Sequence, residues 1–146
     1  MITSEQIVQM YEEGKYDDLI SIISGLLKDD PDNKDLLFFL ARIYFMKSKL
    51  KDSEKAIDRI LKLEPNNQNA NYHKAMILFI LQRPSQAFFF SEKALAQAKH
   101  PSFDLVILHA GILHKINDPA HKKWLKKAED IDSVRTKEFM KNHWIK

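Results

Sequence analysis

The sequence predicts an all-α protein in which one helical hairpin recurs along the chain. Three observations carry that prediction. Apolar residues follow a period near 3.6 rather than 2, as in "KDLLFFLARIYFMK" (34–47). Only three glycines, Gly14, Gly25 and Gly111, interrupt the 146 residues, and helix-forming residues fill the rest. Finally, the chain resembles itself at a step of 34: Asp18 falls on Asp52, Ile23 on Ile57, Leu27 on Leu61, Lys28 on Lys62, Pro31 on Pro65 and Asn33 on Asn67. The same step carries on to "PSQAFFFSEKALAQAKHP" (84–101) and "DPAHKKWLKKAEDIDS" (118–133) with no insertion anywhere.

Each unit divides into two helices, giving units 1–33, 34–67, 68–101 and 102–133. In the second unit, 34–47 forms the first helix and about 51–63 the second. Pro65 ends it, because proline cannot continue a helix and biases the preceding residue toward extended geometry. Short polar turns join the paired helices: "EGKYDD", "SKLKDS", "LQRPSQ" and "INDPAH". Pro84 and Asp118-Pro119 fit helix starts, where a missing N–H costs little and an Asp can cap. Ala41 and Ala75, small and 34 apart, let the paired helices approach closely. In the fourth unit His109, His121 and Ser133 stand where small residues or proline are expected. Residues 134–146 form a last helix, with Phe139, Met140, His143 and Trp144 on one stripe.

Composition excludes several classes. No cysteine is present, which removes disulfides, thiolate zinc sites and cysteine nucleophiles. Three scattered glycines cannot build a phosphate-cradling loop. No serine sits in a G-x-S-x-G elbow, and the six histidines include no i, i+4 pair of the zinc-binding kind, so no metal, cofactor or catalytic role is expected. The apolar runs "LLFFLA" (36–41) and "AMILFIL" (75–81) fall well short of the ~20 residues that cross a bilayer. The N-terminus lacks a secretory pattern, so a cytoplasmic location is expected.

The repeat pattern resembles the tetratricopeptide (TPR) family. Gly14 and Tyr16 supply its turn pair, Tyr44 its first-helix aromatic, Ala87 and Ala94 its second-helix alanines, and Pro31 and Pro65 its closing prolines. The resemblance implies a TPR-like α-solenoid, a right-handed superhelix of antiparallel helix pairs, with a C-terminal capping helix over its exposed end. It further implies a non-catalytic adaptor whose first helices line a concave groove.

Columns drawn at steps of 34 through the first helices are Ser4, Phe38, Tyr72, Val106; Val8, Arg42, Met76, Ala110; Tyr11, Phe45, Phe79, Leu113; and Glu12, Met46, Ile80, His114. Their middle members, Phe38, Arg42, Phe45, Met46, Tyr72, Met76, Phe79 and Ile80, form the expected groove for an apolar or amphipathic peptide. Arg42 would pair a partner's carboxylate or carbonyl. A secretion-type chaperone shielding a hydrophobic segment is the more specific version. The capture of chaperone tails by a lysine–asparagine clamp is not expected, because those slots here hold Ser4, Val8, Phe38 and Arg42.

In "QAFFFSEKALAQA" (86–98), Phe88 and Phe90 fall at core slots, whereas Phe89 aligns with Ser21, Lys55 and Lys123 at the surface. Phe89 and Trp144 are therefore candidates for a convex or self-association contact, including a homodimer seam. Helical-repeat RNA binding is the rival class. Residues 1–73 carry 10 basic against 13 acidic side chains and residues 74–146 carry 13 against 7, so the chain is basic in its second half. Those lysines gather in the fourth unit and tail while the groove columns are apolar, which argues against nucleic acid.

Overall fold

The computed structural model describes residues 1–144, which form nine α-helices and no strand. They fall into two compact units that divide after Pro65. The first holds α1 (Ser4–Glu12), α2 (Tyr16–Asp29), α3 (Lys34–Met46) and α4 (Leu50–Leu63). The second holds α5 (Gln68–Ile80), α6 (Pro84–Ala96), α7 (Phe103–Lys115), α8 (His121–Ile131) and α9 (Ser133–His143).

Two kinds of punctuation alternate along the chain. The odd-numbered helices each begin at a side-chain cap: Thr3, Asn33, Asn67, Ser102 and Asp132 accept from the backbone N–H three residues on. Thr3 completes a capping box with Gln6. The even-numbered helices have no such cap. They start instead from a tight turn in which Gly14, Ser48, Gln82 or Asn117 takes a positive φ of 59–74°. At each turn the next N–H reaches back to close the preceding helix, as Lys15 to Met10 O, Lys49 to Tyr44 O, Arg83 to Leu78 O and Asp118 to Leu113 O. Pro84 occupies the first position of α6, as expected.

Those turn residues correct the uninterrupted register. Gly14, Ser48 and Gln82 are 34 apart, but Asn117 follows Gln82 by 35. Ser102 likewise caps α7 35 residues after Asn67 caps α5. One extra residue therefore sits in the connection from α6 to α7. The offset is absorbed ahead of α8, where His121, Lys122 and Lys123 donate to the carbonyls three residues back rather than four. Ala94 and Ala128, both fully buried, are again 34 apart. α8 consequently starts at His121, not at Pro119, and Asp118 accepts from Ala120 N in the turn before it (2.8 Å) instead of capping the helix.

In the first unit Leu19, Ile23 and Leu27 of α2 are buried together with Leu37, Leu40 and Ile43 of α3 and Ile57 and Ile60 of α4. Each such side chain contributes about 1.5–3 kcal/mol by leaving water. Ala41 is small enough that Ser53 Oγ of α4 donates to its carbonyl (2.8 Å), so α3 and α4 pack closely. Lys47 with Asp17, and Lys34 with Glu64, add ion pairs at the unit's surface.

In the second unit α7 is the central element. Every residue from Leu105 to Leu113 is buried, on all sides of the helix. α6 and α8 pack against it directly, and α5 and α9 also reach it. The small residue matching Ala41 and Ala75 is Ala110, not His109, because of the extra residue; all three are buried. His109 instead matches Leu40 and Lys74. Its ring stacks on Phe88 (centroids 5.7 Å) and meets Trp124 edge-on (4.8 Å).

Candidate functional site

α9 decides the shape of the second unit's inner face. Its first turn is held by Arg135, whose guanidinium pairs with Asp104 (2.6 Å) and lies over the Phe103 ring (4.2 Å). One turn on, Phe139 lies over Gly111 of α7. A Cβ at Gly111 would come within 2.9 Å of Phe139 Cζ, so only glycine admits the ring so closely. At its end Trp144 stacks on His114 (4.4 Å) and meets His121 edge-on (5.7 Å). The successive contacts at Asp104, Gly111 and His114 mean that α9 runs in the same direction as α7.

Between α5, α7 and α9 lies an open cleft of about 740 Å³. Tyr72, Met76, Phe79 and Ile80 of α5 form one side, Phe103, Ile107 and Leu108 of α7 the floor, and Phe139 and His143 of α9 the other side. Gln82, Lys115, Glu138 and Asn142 stand on its rim beside the Arg135–Asp104 pair. Burial and the nearby Asp104 carboxylate raise the pKa of the Tyr72 hydroxyl, so it remains a neutral phenol.

Four of the eight expected groove residues are thus brought together, and they are the α5 set. Phe79 needs correction. It is only 8% exposed and packs with Leu78, Leu108 and Ile112, with His143 beyond it (centroids 6.0 Å). It backs the α5 side of the cleft and offers little accessible surface itself. Ile80 is exposed and Met76 half-buried, so these carry the accessible apolar surface. The α3 set, Phe38, Arg42, Phe45 and Met46, lies in the first unit. There the Arg42 guanidinium sits over the Tyr11 ring (5.0 Å) and near Phe39 (6.0 Å), and Met46 is exposed.

The fourth members of the columns are corrected too. Val106, Ala110 and Leu113 are buried, because the extra residue turns them inward. Steps of 35 from Tyr72, Met76 and Ile80 reach Ile107, Gly111 and Lys115, and these face the cleft or α9. Sequence reasoning at a fixed step of 34 missed all three.

Trp144 is engaged by His114 and His121 within the same unit, and its indole nitrogen is buried. Trp144 is thus seated against side chains of its own unit. Phe89 is 58% exposed, with Phe90 edge-on to it (5.1 Å) and Lys93 over its face (5.5 Å). Phe88 and Phe90 are half-buried against the second unit's core, as their slots predicted. Among the described residues no three His, Asp or Glu side chains come together to hold a metal ion, and no helix is long and apolar enough to cross a membrane.

Comparison with known proteins agrees with this architecture. The family profile described as Tetratricopeptide repeat matches residues 10–77. No curated protein sequence matches the chain significantly. Among solved structures, MamA superposes with a TM-score of 0.81 at 16% identity, over 96% of this chain and 82% of MamA. PilW, a type IV pilus biogenesis factor, gives 0.77 at 19% identity over 88% of this chain and 60% of its own. YrrB, a TPR protein with an unusual peptide-binding site, gives 0.69 at 18% identity over 76% and 57%. At such identities the likeness is one of fold.

Proposed function

We propose, from the match of residues 10–77 to the tetratricopeptide-repeat family and the fold shared with its members, that this chain is a non-catalytic interaction module holding an apolar segment of another protein in the α5–α7–α9 cleft. The observation that carries this reading is the cleft itself, about 740 Å³, with apolar side chains from α5 and α7 and the Phe139 ring of α9. That volume lies within the range of ordinary binding pockets. Met76 and Ile80 offer adaptable aliphatic surface and Tyr72 a rigid aromatic one. Arg42, Phe38, Phe45 and Met46 offer a second exposed or half-buried set on α3, with a guanidinium for a carboxylate or carbonyl.

The test is a pull-down comparing wild type with Met76→Glu/Ile80→Glu, both variants being checked for helicity by circular dichroism. The double variant is expected to stay folded and lose its bound proteins. Retention of every partner by the folded variant refutes the cleft as the site. Added salt separates the rival class, since a nucleic-acid complex held by the exposed Lys122, Lys123, Lys126 and Lys127 would weaken steeply with ionic strength.

A further inference from the structure

The rim of the cleft is polarised along its length. At the end where α5, α7 and α9 begin, Asp104 and Arg135 neutralise each other, so Glu138 is the remaining charge. At the end where α5 and α7 finish, the remaining charge is Lys115. Both side chains are exposed, and neither forms an ion pair among the described residues. Phe139, the residue after Glu138, lies over Gly111 of α7, and Lys115 stands 4 residues beyond Gly111. At 1.5 Å per residue the two charges are roughly 8 Å apart along the cleft, about one and a half helical turns.

The cleft also selects the conformation of what it holds. Its walls are helices, whose backbone groups are already bonded within each helix. An extended peptide would set its own N–H and C=O groups against Met76, Phe79, Ile107 and Phe139 with little to bond them. A helix satisfies its own backbone and presents only side chains.

We infer that the occupant of this cleft is an amphipathic helix with a basic residue near one end of its apolar face and an acidic residue one to two turns away. The basic residue meets Glu138, the acidic residue meets Lys115, and the apolar face fills the space between. This deepens the proposal that the cleft binds protein and rests on it. The opposed charges fix which way round the helix lies.

A display library of random peptides of roughly 16 residues, about four helical turns, tests this when panned against wild type, Met76→Glu, Lys115→Glu and Glu138→Lys. Circular dichroism confirms that each variant is folded. Wild type is expected to enrich sequences with apolar residues at i, i+3 or i+4, and i+7, flanked by one base and one acid. Lys115→Glu should convert the selected acid to a base, and Glu138→Lys the selected base to an acid. For a synthesised wild-type winner, each charge reversal should weaken the Kd about two- to fivefold, as for an exposed ion pair. Enrichment of the apolar spacing without the charge pattern overturns this inference and leaves the cleft standing as a protein-binding site. Enrichment of extended or proline-rich sequences overturns the helical occupant. Enrichment that survives Met76→Glu unchanged, or none at all, overturns the cleft reading along with it.

Discussion

Gly111 shows how one absent side chain can organise a helix packing. With a methyl group there, Phe139 must retreat, because the new Cβ would stand 2.9 Å from its ring. Gly111→Ala is therefore expected to destabilise the protein by about 1–3 kcal/mol, the usual cost of forcing atoms into a packed site. That range is the net effect after the roughly 1 kcal/mol that the substitution gains in helix propensity. Thermal unfolding measures it, and fluorescence of Trp144 reports whether the end of α9 has lifted from His114. His109 gives the second prediction at this scale. Burial lowers its pKa from the ordinary 6.5 to about 4. Below pH 6.5 the unfolded chain takes up a proton that the folded chain accepts only near pH 4. Stability from this group is thus complete above pH 6.5 and falls between 6.5 and 4, by up to about 3 kcal/mol. Urea unfolding at a series of pH values should show the slope, and His109→Gln should flatten it.

The helices differ in what starts them, and this too is testable. Asn33 and Asn67 each satisfy a backbone N–H at the start of a first helix. Either one replaced by Ala should cost about 0.5–2 kcal/mol, read from urea titration. The second helices have no cap to lose and depend on the turn instead. Gly14→Ala should destabilise because the residue holds a φ of 74°, although nothing lies within 4 Å of a Cβ there. Much of this was legible in the sequence. The hairpins followed from apolar period, the closing Pro31 and Pro65, and the polar turns, and the exposure of Phe89 followed from its alignment with Ser21, Lys55 and Lys123. The extra residue before α7 was not, and for a physical reason. It lies in a connection with no hydrophobic period, and the tighter start of α8 restores the spacing of Ala94 and Ala128 beyond it. A comparison at a fixed step sees agreement on either side and passes over the shift between. The burial of Phe79 was hidden for a different reason: it comes from packing against Leu108 and Ile112 of α7, contacts distant in sequence that no local pattern announces.

At the scale of the molecule, helices pack mainly on neighbours in sequence, α1 on α2, α2 on α3, α3 on α4, and so through each unit in turn. Such local topology favours fast folding, and refolding within microseconds to milliseconds is expected by temperature-jump or stopped-flow fluorescence of Trp124 and Trp144. Repeat proteins invite lengthening, since each added hairpin needs only the surface of the one before it. The vacancy at Gly111 bears on that. A further hairpin spliced on behind Asp132 would bring a generic first helix to a berth shaped around a phenyl ring, and would leave a hole there unless it carried an aromatic side chain at the position of Phe139. α9 is thus keyed to α7, and any helix put in its place must either copy the key or recut the lock.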